Sequence, residues 1–275
     1  MKPPAFDYIR AAHLDEALGA LHASGGDARI LAGGQSLMPM LNMRLTRPAV
    51  LIDIMRLDAL AQPRLEKNAL VVPAGVRQAA LLDRTTLVDE VPLLAQALPW
   101  VGHAQTRARG TPCGSVAHAD PSAETPLCLL ALEGEVRLRS KKRARTVKAA
   151  DFFTGMMVTA RAEDEMVEAI ALPLRRPGTG YAFAEVARRH GDYAIVACAA
   201  AVDGRRIRLA VGGVADRPTA RDLPLLDGSA LDDALNALAW DLGAGEDVHA
   251  TARYRRDLVR HLGRQVIEEA MRCRN

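Results

Sequence analysis

Residues 28–57, ARILAGGQSLMPMLNMRLTRPAVLIDIMRL, constrain the fold more than any other stretch. ARILAGG is a short apolar strand running into a glycine turn, LMPMLNMRL is a crossover, and AVLIDIMRL is a second strand. Strand, turn, crossover and strand make a small βαβ unit over residues 28–54. Gly33 and Gly34 offer no side chain to pack and cost backbone entropy on folding. Something must therefore approach the main chain there. Successive N–H groups in such a turn point into one concavity, and a missing Cβ admits a phosphate. A plain surface loop is the alternative.

Apolar residues at helical spacing predict a helix over 14–23, stopped by SGGD. From ALVVPAGV onward the chain reads as short strands, with helices near 77–83 and 93–99. GTPCGSVAHADPSAETPLCLLAL, residues 110–132, holds a second glycine turn and a helix after Pro121. GEVRLRS and ARTVKAADFF alternate in polarity around KKR, the pattern of a hairpin with a solvated basic tip. The breaker-rich stretch LPLRRPGTG, residues 172–180, marks a boundary. Three sheet strands follow (YAFAEVARR, AIVACAAAVDG and RIRLAVGGVADRP), then helices near 229–242 and 252–271. The fold class is α+β. Residues 1–176 form one domain with lobes of about 1–55 and 56–176, and residues 177–275 form a second.

A net charge of +3 over 275 residues leaves no nucleic-acid footprint. No apolar run approaches a membrane span. Cys113, Cys128, Cys198 and Cys273 form no Cys-x-x-Cys pair, so no zinc or iron–sulfur site is expected within the chain. The N-terminus lacks the apolar core of a secretory signal, which points to the cytoplasm and reduced thiols. The phosphate loop Gly-x-x-x-x-Gly-Lys-[Ser/Thr], the dinucleotide fingerprint Gly-x-Gly-x-x-Gly and the nucleophile elbow Gly-x-Ser-x-Gly are all absent. AGGQS (32–36) and TPCGS (111–115) each end in a serine whose hydroxyl can donate. Two such loops suit a diphosphate gripped between them. Gly191-Asp192-Tyr193, at the start of a strand, sets an aromatic ring beside a carboxylate. It suits either a cover for a flat ring system or a tyrosine packed on a sheet edge.

AGGQSL at 32–37, Thr111 with Gly114-Ser115, AHADPSAETP at 117–126, DFFTG at 151–155 and RRHGDYA at 188–194 occur in one order. Together they resemble the flavin-binding medium subunit of the molybdenum hydroxylases, the family of aerobic carbon monoxide dehydrogenase and xanthine dehydrogenase. The resemblance spans essentially the whole chain. It implies a two-lobed FAD-binding domain of the PCMH type, a C-terminal sheet-plus-helices domain and non-covalent FAD. It places Ala32, Gly33, Gly34, Gln35, Ser36 and Leu37, with Thr111, Gly114 and Ser115, on the pyrophosphate. It also places Gly102 at the cofactor, Glu124 two turns into a helix at the adenosine, and Asp192 and Tyr193 near the isoalloxazine. No catalytic residue and no metal ligand is implied here. Implied partners are a molybdopterin-binding large subunit and a small subunit with [2Fe–2S] clusters, in a dimer of heterotrimers. Electrons would run from molybdenum through the clusters and FAD to an external acceptor, this chain positioning and tuning its cofactor.

Three departures stand out. Gln35 stands where some relatives carry histidine. Cys113 replaces the first glycine of the usual Gly-Gly pair, and Pro112 before it removes an N–H. Ala184 stands where NAD-linked relatives carry lysine, which argues against NAD as acceptor. A stand-alone FAD-dependent oxidase and an FAD-free scaffold subunit are the alternative readings.

Overall fold

Polar and apolar periodicities sort the chain into three sheet-based units. The computed structural model describes residues 2–274. The first unit comprises β1 (Asp7–Arg10), α1 (Leu14–Ala23), β2 (Ala28–Leu31), α2 (Leu37–Asn42) and β3 (Val50–Asp53). Helix α1 buries Ala17, Leu18 and Leu21, the spacing of an amphipathic helix. Its first turn is capped twice. His13 Nδ1 accepts from the Glu16 N–H at 3.1 Å, and Glu16 Oε2 accepts from the Ala12 N–H at 2.7 Å. The sheet is parallel in the order β1-β3-β2, so the expected βαβ unit is present with one strand added. Strand β1 was not expected. Its Asp7, Tyr8 and Arg10 are exposed, and only pairing with β3 makes DYIR a strand.

The second unit runs through β4 (Arg64–Glu66), β5 (Ala69–Pro73), α3 (Gln78–Leu82), α4 (Leu87–Glu90), α5 (Pro92–Ala97), α6 (Ala104–Arg107), α7 (Pro112–His118) and α8 (Glu124–Ala131). It continues with β6 (Glu135–Arg139), β7 (Ala144–Lys148), α9 (Ala149–Phe152), β8 (Phe153–Gly155), β9 (Val158–Thr159) and β10 (Met166–Pro173). Its main sheet is antiparallel in the order β4-β5-β10-β6-β7. The KKR tip between β6 and β7 is exposed, as expected. TPCGS, expected as a glycine turn, is instead the cap and first turn of α7. Every residue of α8 is buried.

The third unit is an antiparallel sheet of β11 (Gly180–Val186), β12 (Val196–Val202), β13 (Arg206–Gly212) and β14 (Thr219–Pro224), backed by α10 (Gly228–Asp241) and α11 (Ala252–Arg272). Strand β12 is buried on both faces. Ala197, Ala199 and Ala201 join the core shared with the second unit, while Val196, Cys198, Ala200 and Val202 face α10 and α11. Small side chains on the first face let α8 lie close to the sheet. Strand β14 was not expected, because TARDLP is a polar edge. Asp222 pairs there with Arg206 and Arg208 on β13. The 191–193 segment also differs from expectation: β12 starts only at Val196, so Asp192 and Tyr193 sit on the preceding loop.

Candidate functional site

One cleft of about 1340 Å³ runs between the units. Ala32, Gly33, Gly34, Gln35, Ser36, Leu37, Gly102, Thr111, Gly114, Ser115, Glu124, Asp192 and Tyr193 all line it. Residues spread over most of the chain are thus gathered on one concave surface, each through a different local device.

The 32–36 turn is an open cradle. Among the described residues, the N–H groups of Gly33, Gly34, Gln35 and Ser36 donate to no protein acceptor. Gln35 Nε2 donates to the Gly33 carbonyl at 2.9 Å and braces the turn. The reason for the glycines differs from the expected one. A Cβ on Gly33 would strike the Arg109 carbonyl and lie 2.6 Å from Gly110 Cα. The neighbouring main chain already occupies that direction. Gly34 has φ +71°, a left-handed backbone that side chains resist.

The facing 111–115 segment is a closed helix start. Thr111 Oγ1 accepts from the Gly114 N–H at 3.0 Å. Pro112 occupies the first helical position, where its missing N–H has no intrahelical partner to lose. Pro112 therefore does not weaken the helix, while the N–H that proline lacks is still missing from this segment's donors. Gly114 is required by its cap, since a Cβ would come 2.8 Å from Thr111 Oγ1. Cys113 is buried and its thiol donates to the Val72 carbonyl at 3.2 Å. Burial pushes that thiol up to about 12, so Cys113 packs and does not react.

Gly102 (φ +52°) works through its neighbour Gly191 (φ +87°). A Cβ on Gly191 would lie 2.6 Å from His103 Nδ1 and 2.7 Å from the Gly102 carbonyl, so the two turns interlock. Arg107 Nη1 donates to the Val101 and Gly102 carbonyls at 3.0 and 2.8 Å. Arg255, buried at the start of α11, donates to the Ile195 and Gly213 carbonyls at 2.7 and 2.6 Å and pairs with Asp247. These arginines hold the loop that presents Tyr193, 64% exposed, at the cleft. Neither stood out in the sequence, because an arginine whose partners are backbone carbonyls leaves no residue motif. Arg29 and Arg161, at another part of the cleft wall, donate to backbone carbonyls close by in the chain and were missed as well.

Glu124 is the first residue of α8, not two turns into it. It is 7% exposed, and burial, then the charge of Asp120, pushes its carboxyl up to about 7. Ala184 faces α10 and α11, away from the cleft, so its side chain says nothing about an acceptor. Among the described residues no group of three or more His, Cys, Asp or Glu is placed to hold a metal ion. No helix is long and apolar enough to cross a membrane.

A long cleft with a run of free N–H groups, facing hydroxyls and the buried Glu124 carboxyl fits an extended dinucleotide with a central pyrophosphate. Residues 4–175 match the family described as the FAD binding domain in molybdopterin dehydrogenase. Residues 181–270 match the CO dehydrogenase flavoprotein C-terminal domain. The chain is 38% identical to the nicotine 6-hydroxylase medium subunit of Paenarthrobacter nicotinovorans, over 98% of this chain and 99% of the relative. It is 36% identical to the 6-hydroxypseudooxynicotine dehydrogenase complex subunit alpha of the same organism, over 98% and 96%. The solved carbon monoxide dehydrogenase of Hydrogenophaga pseudoflava superposes with a TM-score of 0.95 at 30% identity, covering 100% of both chains. The chain therefore belongs to the FAD-binding medium subunits of the molybdenum hydroxylases, an oxidoreductase family.

Proposed function

We propose that this chain carries electrons from [2Fe–2S] clusters of a partner subunit, through non-covalent FAD in the described cleft, to an external acceptor. Substrate oxidation would belong to a molybdopterin-binding partner, in an assembly of two heterotrimers working in the cytoplasm. The observation that carries the reading is the run of four unpartnered N–H groups at Gly33–Ser36, facing Thr111–Ser115 across one cleft. Those groups and the hydroxyls of Ser36 and Ser115 would hold the pyrophosphate, where charge-assisted hydrogen bonds are strong. Glu124 would meet the adenosine, and Asp192 and Tyr193 the flavin ring. FAD would supply the redox chemistry; the chain binds it, orients it and limits access to it. Residues 1–176 would form the FAD-binding domain and residues 177–275 the C-terminal one.

Purification of the tagged chain from its native host tests this reading. Flavin that is released intact on denaturation, together with two co-purifying subunits bearing molybdenum and iron, is the expected result. A flavin-free chain would support a scaffold. A homo-oligomer with full oxidase turnover would support a stand-alone enzyme.

A further inference from the structure

Strand β11 turns Tyr181, Phe183 and Glu185 toward the core shared with the second unit, and Ala182 and Ala184 toward α10 and α11. A carboxyl therefore occupies a position in line with two buried aromatic rings. Glu185 is 8% exposed, and neither of its oxygens has a hydrogen-bond partner among the described residues. Its ladder neighbours are Ala197 on β12 and, beyond it, Gly212 on β13. Gly212 lies against the Pro121 carbonyl and the Leu127 side chain, so this row of small residues leads to the start of α8. There stands Glu124, itself 7% exposed and lining the cleft. Cys128, one turn further along α8, feels the charge of both glutamates.

An ionised carboxylate buried without a partner is costly, and two of them close together cost more. We propose that Glu185 is a positioning residue that works as a neutral acid, its proton keeping the core behind Glu124 uncharged so that Glu124 can meet the cofactor as a carboxylate. The proposal rests on the FAD reading above. Burial, then the charge of Glu124, pushes Glu185 up to about 8, while burial, then Asp120, pushes Glu124 up to about 7. The groups facing the pair are Asp120 before α8, the Cys128 thiol on α8 and the Tyr193 phenol on the 187–195 loop. Strands β12 and β13 contribute only Ala197 and Gly212 opposite Glu185, and among the described residues no cation acts on either carboxyl. The two acids then titrate as a unit, and the cleft binds best while the pair holds one proton, on Glu185.

FAD titrations of the full-length, flavin-depleted chain across neutral and alkaline pH read this out by flavin fluorescence. Wild-type affinity should rise as Glu124 ionises and fall several-fold as Glu185 does. Glu185→Gln should remove the alkaline fall and keep the acid limb. An alkaline fall that persists in Glu185→Gln, or wild-type affinity flat with pH, overturns the proposal.

Thermal melting without FAD separates the pair from the cofactor reading. Because folding raises the Glu185 pKa, its contribution weakens as pH climbs from the ordinary carboxylate range and levels off above the folded value. The melting temperature of Glu185→Gln should therefore gain on wild type up to about pH 8 and run parallel above it. A gap that stays constant with pH overturns the pair even if FAD binds. Failure of FAD to bind at any pH, with a gap that widens as described, sinks the cofactor role and leaves the buried acid standing.

Discussion

The two segments that face each other across the cleft look alike in sequence and are built in opposite ways. AGGQS is an open turn whose N–H groups are free, and TPCGS is a capped helix start whose Gly114 N–H is already taken by Thr111. Glycines in the first are required by a close crossing of Arg109–Gly110 and by a left-handed backbone; the glycine in the second is required by its own cap. The difference teaches that a short glycine-plus-serine motif reports close approach of something, without saying what approaches. If the comparison holds, changes in the first segment should act on FAD affinity, and changes at the cap of the second, Thr111 and Gly114, mainly on stability.

Gly33→Ala should have the largest effect, because its methyl group meets main chain that cannot rotate away. Overpacking of this kind costs about 1–3 kcal/mol. Urea unfolding of the flavin-free chain should show that loss, and FAD affinity should fall more than tenfold as the cradle shifts from Thr111. Unchanged affinity would mean that the two segments do not act together.

Thr111→Val and Ser36→Ala form the next contrast. The first removes a cap worth about 0.5–2 kcal/mol and leaves the Gly114 N–H without its acceptor. It should lower the melting temperature and change FAD affinity less. Ser36→Ala should leave the melting temperature of the flavin-free chain unchanged and weaken FAD, since a hydrogen bond to a charged group is worth about 1.5–3 kcal/mol. Reversal of these two outcomes would break the comparison.

Tyr193→Ala should matter less for affinity, because a ring contact adds only about 0.5–1.5 kcal/mol. FAD affinity should stay within roughly tenfold of wild type, each 1.4 kcal/mol being a factor of ten, while stopped-flow reoxidation by an artificial acceptor changes by more. Smallest of all should be Cys113→Gly, which restores the expected glycine pair. Glycine inside a helix costs about 1 kcal/mol, and the thiol contact to β5 goes with it. A slightly lower melting temperature with unchanged FAD affinity is expected; tighter FAD would show that Cys113 does obstruct the cradle.

Local pattern alone determined much of this protein. The turn after ARIL, the amphipathic faces of α1 and α11, the β6–β7 hairpin and the apolar strands β11 to β13 each carry their own period. Gly33, Gly34, Ser36, Thr111, Gly114, Ser115, Asp192 and Tyr193 stand out in their own short stretches, whereas Leu37, Gly102 and Glu124 entered only through the family resemblance. Only the tertiary structure decided the rest. Strands β1 and β14 have polar edges and exist through partners far along the chain. TPCGS becomes a helix start because Thr111 can cap it, and the residue spacing within it cannot separate that outcome from a turn. Arg107 and Arg255 bind carbonyls that folding brings to them, and Ala184 and Glu185 exchange importance once strand pairing decides which face each one takes. A side chain's period is written in its neighbours, but the burial of a charge depends on what packs against it from elsewhere in the chain.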